Sequence, residues 1–212
     1  MPASRSSRSL AAALLVLGGT GALALTAQLA RPVWTPAAPG YRRQGPEGAK
    51  VVLTEFSDFQ CPACGAAAPH LKTIEEMFKG KLAVVFKHRA WEFHPHAKNA
   101  ATAAECAGKS GKFWELHDAL FANQGTWSVL ESTAAARELI LGYGKAAGLD
   151  PKALSACMDD PGTAKLVEAD VKEAEDNWVR STPTFVINGK RFVGASQLRT
   201  LGLNRIEDEL KK

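Results

Sequence analysis

The chain has 212 residues, of which 46% are hydrophobic, and it carries 26 lysine or arginine residues against 22 acidic residues. The length fits one domain of ordinary size, and the hydrophobic fraction is typical of a chain that buries a core, so disorder of the whole chain is excluded. Two of the arginines lie in the first 30 residues, which hold no acidic residue, so residues 31–212 have a net charge of +2. So small an excess gives no reason to expect a nucleic-acid partner.

The N-terminal segment has the pattern of an export signal. Arg5 and Arg8 precede an uncharged, mostly apolar run at residues 10–30, interrupted by three glycines. This run is longer than most signal-peptide cores and just long enough to span a bilayer as a helix. Residues 1–30 are therefore predicted to be either a cleaved signal peptide, with a small-x-small motif at residues 22–24, or an N-terminal membrane anchor. Either alternative places the folded part in the periplasm or otherwise outside the cytoplasm, where thiols can be oxidised.

The folded domain is predicted at residues 49–212, after a linker at residues 31–48 that is rich in proline and glycine and has no hydrophobic period. Residues 50–59 predict a first β-strand, and residues 81–89 predict a second. Between these strands, apolar side chains recur with the spacing of one helix face, at Ala67, Leu71, Ile74 and Phe78. The domain therefore begins with a strand, a helix and a strand.

The second half of the domain is predicted to be mainly helical. From about residue 93 to residue 180 the hydrophobic pattern is that of helices, punctuated by glycine, proline and aspartate. Two short β-rich runs follow, joined by Asn188-Gly189, which is a strong hairpin signal. A last helix is predicted at about residues 196–210. This order predicts an α/β fold in which helices flank one mixed sheet and the helical insertion forms a cap.

Cys61 and Cys64 lie in the sequence CPAC, where the first strand ends and the helix begins. A zinc site of four thiolates usually needs two close pairs, whereas Cys106 and Cys157 are 51 positions apart. A purely structural disulfide across so short a loop would remove little entropy from the unfolded chain. A redox centre is favoured, because the unpaired N–H groups and the dipole at a helix N-terminus stabilise the Cys61 thiolate. Cys61 would then exchange with a substrate, and Cys64 would resolve the mixed disulfide.

The pattern F-x-x-x-x-C-P-A-C-G, the long helical stretch and the later STPTFVINGKRFVG resemble the DsbA-like branch of the thioredoxin superfamily, over about residues 50–210. The resemblance implies a thioredoxin-like fold and thiol-disulfide oxidoreductase activity. No cofactor and no metal are expected. It also implies that Pro183, preceded by Thr182, is in cis and faces the cysteine pair. A cis proline there would free a backbone edge on which a substrate strand could pair. From the residues alone, an ordinary trans proline that opens a strand stays an alternative.

Glu55 is a charged residue within the apolar first strand, six positions before Cys61. One interpretation is an outward-facing side chain of a half-exposed strand. The resemblance favours another, because family members carry a carboxylate at this place. In that interpretation Glu55 is a buried acid beneath the CPAC sequence that takes and returns the proton of Cys64.

Cys106 and Cys157 are either two unrelated buried thiols or a pair. In an exported protein a disulfide is favoured, and in the chain-entropy model it would add roughly 4 kcal/mol of stability. Some family members carry a second, non-catalytic pair in the helical part, so the resemblance agrees with a structural disulfide. His94 and His96 suggest a metal ligand only weakly, since imidazoles near a helix start more often serve as a cap and a surface group.

These features predict an extracytoplasmic enzyme that donates the Cys61–Cys64 disulfide to reduced, unfolded secreted proteins. The resemblance adds a membrane partner for re-oxidation. A disulfide isomerase or reductase kept in the dithiol state is the alternative, although family isomerases usually carry an N-terminal dimerisation domain and a monomer is expected here. Ala63 stands where strong oxidants of the family often have histidine, which leaves the direction of electron flow open. A non-catalytic copper-binding or chaperone module is the third hypothesis.

Overall fold

The computed structural model describes residues 34–212, and five strands in this part of the chain form one sheet in the order β1-β3-β2-β4-β5. The strands are β1 (Arg43–Gln44), β2 (Val51–Ser57), β3 (Leu82–His88), β4 (Thr184–Ile187) and β5 (Lys190–Val193). β2 and β3 are parallel, and the other pairs are antiparallel. The predicted mixed sheet with flanking helices is confirmed.

Helix α1 (Pro62–Met77) connects the two parallel strands. The helical insertion contains α2 (Ala97–Lys109), α3 (Phe113–Ala122), α4 (Gln124–Trp127), α5 (Thr133–Ala146), α6 (Pro151–Met158) and α7 (Pro161–Asp176). After the hairpin, α8 (Gly194–Gln197), a π-helical turn (Leu198–Gly202) and α9 (Leu203–Lys211) follow without a break. The starts of α5, α6 and α7 are encoded locally, because Ser132, Asp150 and Asp160 each accept a backbone N–H bond at the helix N-terminus.

Two apolar clusters form the core. One lies among the helices of the insertion and the end of the sheet, and it includes Phe59, Phe86, Phe113 and Trp127. The other packs α1 and the C-terminal helices against the sheet, with Leu53 of β2 at its centre. Alternate residues of a strand face the same side. Glu55 and Ser57 therefore continue the row of Leu53 on the side of the sheet that α1 covers.

The segment at residues 40–44, which the sequence places in the linker, belongs to the sheet instead. A 3₁₀ turn at Gly40–Arg42 leads into β1, which pairs with β3. The Arg42 side chain is buried and forms ion pairs with Glu105 and Asp170. The composition could not reveal this, because the partners of Arg42 lie far away in the sequence.

The predicted signal peptide or anchor at residues 1–30 lies outside the described residues. Between residues 34 and 212, no helix is both long enough and apolar enough to cross a membrane.

Candidate active site

Cys61 is the N-cap residue of α1, and Pro62 occupies the first helical position. Proline suits this position because its fixed φ matches the helix and no N–H partner is needed there. The backbone N–H groups of Cys64 and Gly65 donate to the carbonyl oxygen of Cys61 at 3.0 and 3.1 Å. Both cysteines are free thiols, and Cys61 is partly exposed whereas Cys64 is fully buried. Only Cys61 is therefore accessible to another protein.

The two thiols differ in acidity in the direction that an exchange reaction requires. A hydrogen bond from the Cys64 thiol lowers the pKa of Cys61 to about 5; the Thr182 side chain and the backbone N–H groups of Ala63 and Cys64 help to outweigh the effect of burial. Burial raises the pKa of Cys64, and the neighbouring Cys61 and Glu55 raise it further. Cys61 is thus a thiolate at neutral pH, and Cys64 keeps its proton.

The loop before β4 forms the wall opposite Cys61. The Thr182-Pro183 peptide bond is cis, and in the thiol form the Cys61 Sγ donates to the Thr182 carbonyl oxygen at 3.7 Å. Trp91, in the loop after β3, donates its Nε1–H to the Thr182 hydroxyl at 2.9 Å. The structure therefore brings together Cys61, Cys64, Thr182 and Pro183, and it adds Trp91, which no local pattern in the sequence indicated.

Asp58 ties the active-site loops together from a buried position. Its carboxylate accepts backbone N–H bonds from Gln60 at 2.7 Å and from Trp91 at 2.9 Å, and it lies 2.7 Å from the His94 Nδ1. His96 is also engaged, since its Nε2 lies 2.6 Å from the Leu130 carbonyl oxygen. Both histidines thus have protein partners, and within residues 34–212 no cluster of three potential ligands is placed to hold a metal ion.

Gln124 of α4 fastens the helical insertion to the cysteine loop. Its Nε2 donates to the carbonyl oxygens of Phe59 at 2.8 Å and Cys61 at 2.9 Å. Gly65 accommodates this contact, because a Cβ there would lie 2.4 Å from the Gln124 Oε1. The sequence offered no signal for Gln124, which is one of many polar residues in the insertion.

Glu55 lies inside the protein, with 2% of its surface exposed, so the outward-facing alternative is wrong. Burial raises its pKa to about 7, and repulsion from the Glu75 carboxylate adds to this, whereas the nearby Ser57 hydroxyl acts in the opposite direction. The Ser57 hydroxyl also acts on Cys64, whose pKa it lowers against the effect of burial. The sequence could have indicated Ser57, because residues two positions apart on a strand face the same side and Ser57 therefore shares a face with Glu55.

Cys106 of α2 and Cys157 of α6 form a disulfide with an S–S distance of 2.02 Å and a Cα–Cα distance of 5.9 Å. The bond lies within the helical insertion and connects two of its helices. The alternative of two unrelated thiols does not describe this structure.

A thioredoxin-like sheet with a helical insertion and a pair of neighbouring cysteines defines the class of this protein, a DsbA-like thiol-disulfide oxidoreductase. Residues 38–203 match the sequence profile of the family described as thioredoxin, and the chain belongs to that family.

Solved structures agree with this assignment. BdbD from Bacillus subtilis, in its oxidised form, superposes with a TM-score of 0.73 at 26% identity and covers 84% of this chain and 96% of its own. DsbA2 from Pseudomonas aeruginosa gives a TM-score of 0.63 at 25% identity, covering 82% of this chain and 96% of its own. Among curated proteins, the Na(+)/H(+) antiporter NhaA 1 of Salinispora arenicola is 35% identical over 159 residues, or 74% of this chain. The chain spans only 23% of that antiporter's length.

Proposed function

We propose that this protein introduces disulfides into reduced, unfolded secreted proteins through Cys61 and Cys64. The observation that carries the proposal is the difference between the thiols, an accessible Cys61 with a pKa of about 5 and a buried Cys64 whose pKa is raised. A stabilised Cys61 thiolate favours the reduced form of the enzyme, which makes its disulfide a stronger oxidant. It also makes Cys61 the better leaving group when a mixed disulfide is resolved.

The proposed cycle begins with the Cys61–Cys64 disulfide. A substrate thiolate attacks the Cys61 Sγ, the S–S bond breaks, and Cys64 leaves with the electron pair and takes up a proton from Glu55. A second substrate thiolate then attacks the substrate sulfur of the mixed disulfide and releases Cys61 as a thiolate. Two electrons have passed from the substrate to the enzyme. Thr182 and Pro183 would hold the substrate backbone beside Cys61 during the exchange.

We further propose that the protein acts outside the cytoplasm and is re-oxidised by a membrane partner. The apolar N-terminal segment and the Cys106–Cys157 disulfide support a location outside the cytoplasm, because disulfides persist in oxidising compartments. Continued turnover then requires a partner that accepts two electrons from the dithiol, and a membrane oxidoreductase would fill this role.

The reduction potential tests the direction of electron flow. The full chain is equilibrated in glutathione buffers of graded ratio, and the fraction of alkylated Cys61 and Cys64 is measured after acid quenching. A potential above about −200 mV is expected for an oxidase, whereas a value near about −270 mV would indicate a reductase instead. Cys106 and Cys157 provide an internal control, since their disulfide should stay oxidised across the series.

A further inference from the structure

A cleft of about 660 Å³ opens between α1 and α3, and residues from both helices and from the sheet line it. Glu55 of β2 lies at its inner end, and within residues 34–212 its Oε1 has no hydrogen-bond partner. Glu75 of α1, which is partly exposed, lines the same cleft nearer the surface. The walls of the cleft are mainly apolar but include several charged side chains, and a cleft of this size has room for several water molecules. The cleft therefore connects the buried acid to solvent on a route that does not pass Cys61.

In the proposed cycle, Glu55 needs a second group to return it to its starting protonation state. Each turnover transfers one proton between Cys64 and Glu55, and the carboxyl group must then return to its starting protonation state. Burial separates Glu55 from bulk water, so a second group has to pass the proton on. Glu75 is placed to do this, because it lines the cleft that Glu55 faces and its charge acts on Glu55.

We propose that Glu75 is the outer member of a two-carboxylate proton path, in which Glu55 exchanges its proton with Cys64 and Glu75 exchanges protons between Glu55 and solvent through water in the cleft. The inference rests on the proposed function, because it concerns the proton that Cys64 gains and loses in the redox cycle. Glu75 acts on the reacting sulfur only through Glu55.

The acidities of the two carboxyl groups suit such a path. Burial raises the pKa of Glu75 to about 7, and repulsion from Asp118 of α3 adds to this while Lys72 on its own helix opposes it. Glu55 has the same value, about 7, to which the Glu75 charge contributes. His117 of α3 also lines the cleft, and because burial lowers its pKa it stays neutral at pH 7. Proton transfer between two groups of matched acidity costs little free energy in either direction.

The path balances in both directions of the cycle. When a substrate thiolate displaces Cys64, the released sulfur takes a proton from Glu55, Glu55 regains one from Glu75, and Glu75 regains one from solvent. When the dithiol is re-oxidised, Cys64 gives its proton to Glu55 and then attacks the mixed disulfide on Cys61, and the proton leaves through Glu75. The electrons travel only through the sulfur atoms, so the path needs no further oxidant or reductant.

The test isolates the step that depends on the Cys64 proton. The reduced full chain is mixed with glutathione disulfide, and attack by Cys61 forms the Cys61–glutathione mixed disulfide and releases one glutathione. The release of the second glutathione, which requires attack by Cys64, is then followed in quenched samples between pH 5 and 9. We expect Glu75→Gln to slow this release about 5- to 10-fold at pH 7. Imidazole added at constant ionic strength should restore much of the rate, because a small buffer can enter the cleft and replace the missing carboxyl group.

Glu207→Gln is the matched control, since it removes the same charge from an exposed position on α9 that does not line the cleft. Its rate should stay within about twofold of the wild type and should not depend on buffer. Absorbance of the Cys61 thiolate at 240 nm is recorded for every variant, and an unchanged titration shows that the redox pair is intact.

The possible outcomes distinguish a failure of the role proposed for Glu75 from a failure of the proposed oxidoreductase function. A slow Glu55→Gln variant together with a Glu75→Gln variant at the wild-type rate overturns the role of Glu75 and leaves the proposed function standing. Equal slowing by Glu75→Gln and Glu207→Gln also overturns it, since charge alone would then account for the effect. If Glu55→Gln releases glutathione at the wild-type rate, Glu55 is not the proton acceptor and the whole path is rejected. A wild-type mixed disulfide that never resolves would contradict the proposed function itself.

Discussion

Thr182 connects the wall of the site to Cys61 through a hydroxyl group whose orientation is determined by its neighbour. The Trp91 indole has only a donor, so the Thr182 oxygen must accept its hydrogen bond. The hydroxyl proton is then available to the Cys61 thiolate, and the Thr182 side chain lowers the pKa of Cys61. Trp91 thus determines the orientation of the Thr182 hydroxyl.

Replacing the hydroxyl should make Cys61 a weaker acid. In Thr182→Val the shape is retained but the donor is lost, and a hydrogen bond of about 1 kcal/mol corresponds to somewhat less than one pKa unit. We expect the Cys61 titration, followed by thiolate absorbance at 240 nm, to move from about 5 to a higher midpoint by about half a unit to one unit. Thr200→Val, at an exposed position of the π-helical turn, is the control. An unchanged midpoint in Thr182→Val would show that the hydroxyl does not bind the thiolate.

At the level of the secondary-structure elements, the helical insertion is held together by covalent and noncovalent links. The Cys106–Cys157 disulfide joins α2 to α6, and Gln124 of α4 binds the loop that carries Cys61. The groups with the largest effect on the pKa of Cys61 are Cys64, Thr182 and Ala63, and none of these lies on α6. The disulfide therefore supports the stability of the insertion without contributing directly to the thiolate.

Removing the disulfide should destabilise the protein and leave the redox centre unchanged. For cysteines 51 positions apart, the chain-entropy model gives a loss of roughly 4 kcal/mol in Cys106→Ala/Cys157→Ala. Urea unfolding followed by circular dichroism measures this loss as a lower midpoint, and the Cys61 titration should match that of the wild type. A shifted Cys61 pKa would mean that the insertion tunes the active site through this bond.

Across the whole molecule, a buried charge cluster joins the segment before the sheet to the strands and to the helical insertion. Arg42 pairs with Glu105 of α2 and Asp170 of α7, Lys87 lies 2.6 Å from Asp170, and His88 lies 2.9 Å from Glu105. Burial alone would raise the pKa of Glu105, but the hydrogen bond with His88 and the pairing with Arg42 hold it at about 2. A carboxylate whose pKa is depressed stabilises the fold above its unfolded pKa of about 4.3, and this contribution is lost as the pH falls toward 2.

Arg42→Met should therefore destabilise the fold at neutral pH and make it more sensitive to acid. Breaking a buried pair typically costs about 3–5 kcal/mol, because Glu105 and Asp170 are left without their shared partner. Without Arg42 the pKa of Glu105 rises, so the loss of stability begins at a higher pH. Urea unfolding at pH 3, 5 and 7 measures both effects. Arg43→Met removes a guanidinium that donates to the exposed carbonyl oxygens of Pro46 and Glu47. It should cost less than about 1 kcal/mol, and equal losses would contradict the role of the cluster.

The sequence by itself determined the features that depend on neighbouring residues. The apolar run before Cys61 became β2, the i, i+4, i+7 spacing became α1, and Asn188-Gly189 became the turn between β4 and β5. These signals are local, because hydrophobic periods and turn residues act within a few positions. The position of Cys61 at a helix N-terminus followed from them without any knowledge of the rest of the fold.

Only the tertiary structure decided which distant groups surround the two sulfurs. Hydrogen bonds connect Trp91 with Thr182, Gln124 with Cys61, and Arg42 with Asp170. The sequence separations of these pairs are 91, 63 and 128 positions. The direction in which Glu55 faces, and its neighbour Glu75, depend in the same way on how α1 packs over β2. Such pairings arise when the apolar faces of whole elements are buried together, and no short stretch of sequence records which faces will meet.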